Sequence, residues 1–364
     1  MSRPVLAYGV CGEGLGHAAR AAALIEFLGH AATIHILTHG EAFRFFQRQG
    51  YPHLHQIPGL TFAKRGQMID WPGTMIQWSE FVTSLQANLC RLSETWELIG
   101  PDMALTDFEP LVPRMAIRRK IPVLSVDNQA KISRCTLLEL PAGLQLYQAV
   151  SSVAIEWLVP RQVPRVISCF HPEFCRPVQP VRAVVGPMVR KAVSSLRSTD
   201  GGFALVYYKE VVGECLLRVA KTIGIPTVVF GGGAHVDRWP GFEFHPHGPD
   251  FPEALSRCSC LICPAGNQLL GEAGLLGKKT VCIPQKGQYE QAINAFYMEK
   301  IGLGISLQNL SAPDREVERF LAMPSPTPRP ADGVERVAGM VMDMLGMKAL
   351  VSCLEKDKFQ VPTS

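Results

Sequence analysis

The sequence predicts an α/β protein in which two doubly wound, Rossmann-like parallel sheets face each other across a cleft. At 364 residues the chain is longer than one hydrophobic core usually organises, so two domains of ordinary size are expected. Short apolar segments that favour strands alternate with segments that favour helices, as in parallel sheets covered on both faces. The alternation stops in a proline-rich stretch and begins again beyond it, so each half is predicted to carry its own sheet.

Composition excludes several classes of protein. Apolar residues make up 47% of the chain and charged residues 19%, which is enough to bury two cores. The net charge is only +4, and the one dense basic run lies at 118–120, so nucleic-acid binding is not indicated. Eleven cysteines and a first strand close to the N-terminus favour reduced thiols in a cytoplasmic protein. No apolar stretch is long enough to cross a bilayer.

The first half supplies most of the alternating elements. Strands are predicted at 4–10, 32–37, 103–106, 121–126 and 183–185, and helices at 18–28 and 40–49. Residues 71–99 carry tryptophans, leucines and a phenylalanine, mostly three or four residues apart, which predicts one long helix with a largely buried face. In the second half, strands are predicted at 203–208, 227–230 and 280–283, with a helix at 212–223.

A glycine-rich turn joins the first strand to the first helix. Gly12, Gly14 and Gly16 allow positive φ and close approach of a ligand, and the amides that begin the helix attract negative charge. A tight turn without a ligand fits the same glycines. His17 stands at the mouth of the helix, where an imidazole can take a proton from an attacking hydroxyl. A capping or solvent-facing role is the alternative for His17.

Acidic residues follow two neighbouring strands. Asp107 and Glu109 follow the strand at 103–106, and Asp127 follows the strand at 121–126. Ligands of open parallel sheets bind beyond the carboxyl ends of the strands, so these groups are expected at the cleft that His17 faces. A carboxylate there is a natural partner for a histidine base, and Asp107 is predicted in that role. Capping of the next helix is the alternative.

The densest polar chemistry lies in the second half. Gly266 and Asn267 begin a helix whose free amides can hold a diphosphate, and Glu272, about two turns along, can accept hydrogen bonds from a ribose diol. The amide and acidic side chains after the strand at 280–283 suit the hydroxyls of a sugar, although a purely structural role fits them too. The residues concerned are Gln288, Glu290 and Gln291.

Proline content and polarity set the predicted domain boundaries. The first domain is expected at 1–185, a linker at 186–202 and the second domain at 203–325. A final helix within 332–347 is expected to pack back on the first domain, and 348–364 is expected to be a frayed tail.

Together these motifs resemble the GT-B glycosyltransferases. The chain is most similar to a poorly characterised family of predicted glycosyltransferases related to the peptidoglycan N-acetylglucosaminyltransferase (MurG-like) and the UDP-glucuronosyltransferases. The matching segments span both halves in the expected order: 12–20, 106–110, 127–129, 271–273, 287–291 and 294–295. By motif position the resemblance implies that His17 deprotonates the acceptor hydroxyl and that Asp107 orients His17. It also implies that Glu272 holds the ribose and that Gln291 contacts the donor sugar.

The resemblance also implies a reaction. We expect an inverting transferase that needs no metal or other cofactor and moves a sugar from a nucleoside-diphosphate sugar, a UDP-sugar, to an acceptor hydroxyl. The first domain would bind the acceptor, a lipid-linked or cell-envelope glycan, at the inner membrane face. Acceptor-side or diphosphate-loop roles fall to Gly12, Gly14, Gly16, Glu109 and Asp127. A nucleotide-sugar 2-epimerase of the same fold and a non-catalytic sugar-nucleotide sensor are the alternatives.

One cysteine motif is not assigned to a metal. Cys258, Cys260 and Cys263 could be drawn as a thiolate cluster, but their segment is apolar, leads into a strand and has no second pair at zinc-finger spacing. We predict that these thiols are buried structural residues.

Overall fold

A computed structural model describes residues 3–65, 68–211, 214–232, 238–307 and 314–347. The tail predicted at 348–364 lies outside the described residues. Two parallel sheets organise the chain, one of seven strands and one of six. The predicted α/β fold with two parallel sheets is therefore confirmed.

The first half builds the seven-stranded sheet and two small antiparallel ribbons, β4-β5 and β8-β10. Its strands are β1 (Val5–Val10), β2 (Thr33–Thr38), β3 (Leu54–Gln56), β4 (Lys64–Arg65), β5 (Met68–Ile69), β6 (Met103–Asp107), β7 (Val123–Asp127), β8 (Cys135–Leu137), β9 (Arg165–Ser168), β10 (Cys175–Pro177) and β11 (Ala183–Val185). Its helices are α1 (Leu15–Leu28), α2 (Gly40–Arg48), α3 (Trp71–Thr83), α4 (Leu85–Ile99), α5 (Leu111–Arg119), α6 (Ala130–Arg134), α7 (Ala142–Leu158) and α8 (Lys191–Ser194).

The second half builds the six-stranded sheet. Its strands are β12 (Ala204–Val211), β13 (Thr227–Gly232), β14 (Phe242–His245), β15 (Cys260–Cys263), β16 (Lys279–Cys282) and β17 (Gly304–Ser306). Its helices are α9 (Glu214–Ile223), α10 (Phe251–Arg257), α11 (Asn267–Leu275), α12 (Tyr289–Lys300) and α13 (Asp314–Ala322), and the last described helix is α14 (Gly333–Met344). The strand order is β11-β9-β7-β6-β1-β2-β3 in the seven-stranded sheet and β14-β13-β12-β15-β16-β17 in the six-stranded sheet. Apolar side chains of α14 share a buried cluster with those of α1, so this helix packs back on the first half.

The single long helix predicted over 71–99 is wrong. The structure divides it into α3 and α4 at Ser84, whose φ of −86° and ψ of 0° interrupt the helix. Two β-branched residues, Val82 and Thr83, precede Ser84 and weaken the helix there, because their side chains restrict χ1 against the preceding turn. The predicted buried face survives the break, since Phe81, Leu89 and Trp96 are all buried.

The first helix begins three residues earlier than predicted. Gly14 precedes α1 with a φ of +88°, a conformation that glycine adopts without steric cost, and Leu15 is the first helical residue. His17 therefore lies in the first turn of α1. Within the described ranges, no helix is both long enough and apolar enough to span a bilayer.

Candidate functional site

A cavity of about 620 Å³ opens between the two halves. Its walls are formed largely by loops and helix starts that follow strands of both sheets, where open α/β folds bind ligands. Eight of the residues singled out from the sequence line it: Gly16, His17, Gly266, Asn267, Glu272, Gln288, Glu290 and Gln291. The other five lie outside this lining: Gly12, Gly14, Asp107, Glu109 and Asp127.

Asp107 lies directly behind His17. The Nδ1 atom of His17 is 2.7 Å from Oδ1 of Asp107, which is fully buried at the end of β6. β1 and β6 are adjacent parallel strands, and Val10 pairs with Asp107, so the turn after β1 and the end of β6 meet at one edge. The topology of the sheet therefore brings together two residues that are 90 positions apart in the sequence.

Two groups approach Nδ1 of His17, Oδ1 of Asp107 at 2.7 Å and Nη2 of Arg20 at 3.1 Å, and the shorter contact, that with Asp107, assigns the tautomer of the ring. An ionised carboxylate only accepts, so the contact with Asp107 requires a proton on Nδ1 of His17. On the other side of the ring, the amide nitrogen of Gln129 lies 3.3 Å from Nε2 of His17 and can donate to it. The lone pair of Nε2 is thus directed away from Asp107, on the ring edge that a general base would use.

Arg20 completes this group from the same face of α1. Its Nε lies 2.8 Å from Oδ2 of Asp107 and its Nη2 lies 2.5 Å from Oδ1, and the arginine is 2% exposed. Burial alone would raise the pKa of Asp107, but the positive charge of Arg20 and the hydrogen bond from His17 hold that pKa below its ordinary value. Asp107 is therefore ionised, and its two carboxylate oxygens accept hydrogen bonds from His17 and Arg20.

Close packing explains the first glycine of the turn. A Cβ on Gly12 would lie 2.3 Å from Nδ1 of His39, and the Gly12 amide donates a hydrogen bond of 3.2 Å to Nε2 of His39. Burial, with a smaller contribution from His17, lowers the pKa of His39 to about 4, so the ring stays neutral and keeps its accepting nitrogen. His39 thus fixes the glycine turn that carries His17.

Glu109 and Asp127 act as local caps in the structure. Glu109 accepts hydrogen bonds from the amides of Leu111 and Val112 at the start of α5, and burial raises its pKa to about 7 despite these bonds. Asp127 accepts from the Ala130 amide at the start of α6 and from Ser125. Both carboxylates are fully buried and cap the helices that follow them, which is the role considered as the alternative for Asp107.

The start of α11 forms the wall across from His17. No side chain of the described residues caps this helix, and a Cβ built on Gly16 of α1 would lie 3.6 Å from Cβ of Gln268. Two helix N-termini, those of α1 and α11, therefore converge on the cavity, and their dipoles favour negative charge between them. Asn267 also accepts a hydrogen bond of 3.2 Å from Lys131 of the first half.

Glu272 lies deeper along α11 and is 2% exposed. Its Oε1 accepts hydrogen bonds from Arg190 Nη2 at 3.3 Å and from Gln268 Nε2 at 3.2 Å. Arg190 itself lines the cavity, and its buried Nε has no partner among the described residues. Arg190, whose Nε is an unused donor among the described residues, therefore lies next to the buried carboxylate of Glu272 at this wall.

The start of α12 supplies a third polar wall. Glu290 accepts a hydrogen bond of 2.7 Å from Asn128, which follows β7 of the first sheet. Gln291 accepts a hydrogen bond of 2.8 Å from the Gln285 amide and so fixes the loop after β16. Gln288 precedes α12 and lines the cavity beside them. Glu290 therefore links α12 to the first half, and Gln291 links α12 to the loop after β16.

Aromatic residues line the end of the cavity formed by the second sheet. Tyr207 of β12 lies 5.2 Å from the ring of His247 and 5.0 Å from the ring of Phe251, measured between ring centroids. All three side chains line the cavity, with Pro249 and Pro252 beside them. This apolar end contrasts with the polar walls near His17, and a flat ring fits it well.

Comparison with known proteins decides the family. The profile of glycosyl transferase family 1 matches residues 5–324, which is most of the chain. The chain belongs to this family. An uncharacterized glycosyltransferase of Methanosarcina mazei is 23% identical over 96% of this chain and 97% of its own length.

Solved structures agree on the fold. MurG of Acinetobacter baumannii superposes on the glycosyltransferase with a TM-score of 0.60 at 14% identity, covering 94% of this chain and 100% of that one. LpCGTa in complex with UDP has a TM-score of 0.58 at 16% identity, covering 96% of this chain and 99% of that one. The GT-B fold predicted from the motifs is thereby confirmed.

Several residues of the glycosyltransferase site were not singled out from the sequence. Arg20 could have been found, because it is three residues after His17 and residues at this spacing share a helix face. Arg190 had no local signal, since it follows a proline-rich join and reaches Glu272 only through the fold. The aromatic end around His247 depends on which loops the six-stranded sheet brings together, which periodicity does not reveal.

Proposed function

We propose that this glycosyltransferase moves a sugar from a UDP-sugar to an acceptor hydroxyl with inversion and without a metal. One observation carries the proposal. The His17–Asp107 pair stands on one side of a single cavity, and the start of α11 with Glu272 and Arg190 stands on the other. A base and a cradle for a nucleoside diphosphate are the two components that such a transfer needs.

The diphosphate would rest between the two helix starts. The N-terminal amides of α1 and α11 offer donors and partial positive charge, and Arg190 adds a full positive charge at the same wall. These groups neutralise the charge that develops on the leaving diphosphate, which is the task a metal performs in other transferases. The proposal of metal independence rests on these groups.

The nucleoside would extend from there toward the second sheet. Glu272 would accept hydrogen bonds from the two ribose hydroxyls in exchange for its contact with Gln268. The base would lie at the aromatic end beside Tyr207 and Phe251. UDP is proposed because LpCGTa, which shares this fold, was solved in complex with UDP; the spinosyn rhamnosyltransferase SpnG, of the same fold, was solved with thymidine diphosphate, and the panel of donors described below distinguishes the two nucleotides.

The sugar would occupy the space between His17 and the start of α12. Gln288, Glu290 and Gln291 line this space and can bind sugar hydroxyls. The acceptor oxygen attacks the anomeric carbon as its proton passes to Nε2 of His17, and the bond from that carbon to the diphosphate breaks. Asp107 stabilises the imidazolium that forms, as the orienting acid of a catalytic triad does. Attack from the side opposite the leaving group inverts the anomeric centre.

We further propose a lipid-linked acceptor that is reached from a membrane surface. Four apolar side chains of α7 are exposed at spacings of four, three and four residues, which places them in one stripe: Leu146, Val150, Val153 and Trp157. The Arg114 guanidinium lies 5.0 Å from the Trp157 ring, so a positive charge adjoins the stripe. On the same helix, Tyr147 stacks on Tyr289 at the start of α12, beside the cavity wall. A helix with an apolar stripe and a flanking cation suits an anionic membrane surface.

The reaction class is tested with purified protein and a panel of donors. Thermal shift with UDP-, GDP- and dTDP-sugars identifies the donor, because a ligand that binds only the folded state raises its stability. Release of the nucleoside diphosphate is then measured with and without candidate acceptors. Release that depends on an acceptor supports the proposal. A donor sugar that changes without an acceptor indicates an epimerase, and binding without turnover indicates a sensor; either result would overturn it.

The membrane contact is tested separately with vesicles that contain anionic phospholipid. The wild type is expected to sediment with them, and Val150→Asp/Val153→Asp is expected to remain in solution. Leu321→Asp, which changes an exposed apolar residue of α13, is the matched control and should behave as the wild type. Equal sedimentation of all three proteins would contradict a role for α7.

A further inference from the structure

A buried group of cysteine and histidine side chains lies apart from the cavity. Cys169 follows β9, His171 precedes a short 3-10 turn, Cys175 begins β10 and Cys135 begins β8. Their exposed fractions are 0% for Cys169 and His171, 6% for Cys175 and 3% for Cys135. None of the four lines the cavity. Among the described residues, Cys169, His171 and Cys175 form the group of His, Cys, Asp and Glu whose ligand atoms converge closely enough to hold a metal.

The distances within this group match those of a metal site. The Sγ atoms of Cys169 and Cys175 are 3.6 Å apart, and Sγ of Cys175 is 3.8 Å from Nδ1 of His171. All three ligand atoms lie within 4.8 Å of one another. Thiolates about 2.3 Å from one tetrahedral zinc lie about 3.8 Å apart, and a thiolate and an imidazole nitrogen lie about 3.6 Å apart. The observed spacing is therefore close to that of an assembled site.

Cys135 is placed to provide the fourth ligand. Cys135 is a free, buried cysteine at the start of β8, the strand that pairs with β10. The antiparallel pairing of β8 with β10 aligns Cys175 with Leu137 and Pro177 with Cys135, so the two cysteines lie on adjacent strands of one ribbon. With Cys135, the set would comprise three sulfurs and one nitrogen. Such a set, in tetrahedral geometry, is typical of structural zinc.

We propose that the glycosyltransferase binds a structural zinc ion through Cys135, Cys169, His171 and Cys175. A disulfide is the competing use of these thiols, but a sulfur–sulfur bond is about 2.05 Å long and the 3.6 Å between Cys169 and Cys175 is far from it. The proposed ion lies outside the donor cavity, so the metal-independent chemistry and the zinc site are separate claims that can fail independently.

The position of the group indicates what the ion would do. The His171 ring stacks on Tyr297 of α12, with 4.1 Å between ring centroids, and the Tyr297 hydroxyl donates a hydrogen bond of 2.8 Å to the Leu138 carbonyl. The two segments that carry the ligands thus form the surface on which α12 rests. The start of α12 forms the polar wall of the cavity that carries Gln288, Glu290 and Gln291. Zinc would therefore fix this wall against the first half of the chain.

The test uses protein without a histidine tag, purified from zinc-containing medium under reducing conditions and without chelator. We expect elemental analysis to find about one zinc per chain in the wild type and less than about a tenth of that in Cys169→Ser/Cys175→Ser. Cys282→Ser is the matched control, because Cys282 is also a free and fully buried cysteine but lies outside the group. This control should retain the zinc.

A second measurement avoids the risk that the variants fail to fold. Wild-type protein is stripped with a chelator, checked by circular dichroism and titrated with Co²⁺ alone. Thiolate-to-cobalt absorption that saturates at one equivalent, and that Zn²⁺ removes, is the expected result. Any of three results would overturn the proposal: wild type without zinc and without this absorption, full zinc content in the double variant, or a native disulfide between any two of the three cysteines.

Discussion

Arg20 binds both carboxylate oxygens of Asp107, and this buried pair stands behind His17. Removing one partner of a buried pair leaves an uncompensated charge, which typically costs about 3–5 kcal/mol. We therefore expect Arg20→Met to lower the free energy of unfolding by about this amount, and Arg20→Met/Asp107→Asn to recover part of the loss. Urea denaturation measures both. Arg218→Met, which breaks an exposed pair with Glu214, should change stability by less than about 1 kcal/mol, and an equal loss there would contradict the argument.

Glu272 is predicted to hold the donor ribose. Glu272→Ala should weaken binding of UDP by about 1–3 kcal/mol, the scale of a hydrogen bond to a charged group. Titration calorimetry provides the affinity, and Glu253→Ala, an exposed glutamate on α10, serves as the control. Unchanged affinity of Glu272→Ala for UDP would remove this residue from the site.

His39 is predicted to make stability depend on pH. The folded ring resists protonation until about pH 4, whereas an unfolded histidine titrates near 6.5, so the stabilisation by neutral His39 is complete above pH 6.5 and is lost as the pH falls toward 4. The difference corresponds to about 3 kcal/mol at the acid end. Glu109 acts in the opposite direction, because its raised pKa of about 7 gives stability that is present below pH 4.5 and is lost as the pH rises through 7.

The contribution of His39 to the pH dependence of stability is separated from that of Glu109 by comparing the wild type with a variant that lacks the His39 imidazole. The free energy of unfolding of the wild type minus that of His39→Gln is measured between pH 4 and 8, so that the effect of Glu109 cancels. The difference should shrink, or change sign, as the pH falls below 6.5. A difference that is independent of pH would mean that His39 is not held neutral by its surroundings.

Asn128 and Glu290 are predicted to control closure of the cavity, because their hydrogen bond joins the two halves. Asn128→Asp would place two carboxylates against each other and favour an open arrangement. Small-angle scattering should then report a larger radius of gyration than in the wild type, with saturating UDP reducing the difference. Gln86→Glu adds the same charge on the exposed face of α4 and should leave the radius unchanged. Identical profiles for Asn128→Asp and the wild type would contradict the predicted closure.

Local patterns were sufficient for much of the fold and less so for the site. The strand, glycine turn and helix around Gly14 could be predicted because periodicity and glycine chemistry act over a few residues. The break in the helix at Ser84 could not be predicted, because the apolar spacing continues on both sides of it and indicates one helix. The Arg190–Glu272 contact depends on segments that only the tertiary fold brings together. In the cysteine group this holds for Cys135 alone, because Cys169, His171 and Cys175 lie within seven consecutive residues. The predicted roles of Glu109 and Asp127 in the site stay predictions, and the sequence alone did not indicate that both cap helices, since carboxylates after strands suit both a ligand and a helix cap.

His17 is proposed as the base that activates the acceptor hydroxyl. Steady-state turnover and UDP affinity of His17→Ala and Asp107→Asn test it most directly, on a donor and acceptor that the wild type accepts. We predict that His17→Ala loses about 10²–10⁴-fold in turnover with donor affinity close to that of the wild type, and that Asp107→Asn loses less. Turnover of His17→Ala at the wild-type rate would contradict the account, and the base would then have to be sought elsewhere in the cavity, with Glu13 the first candidate.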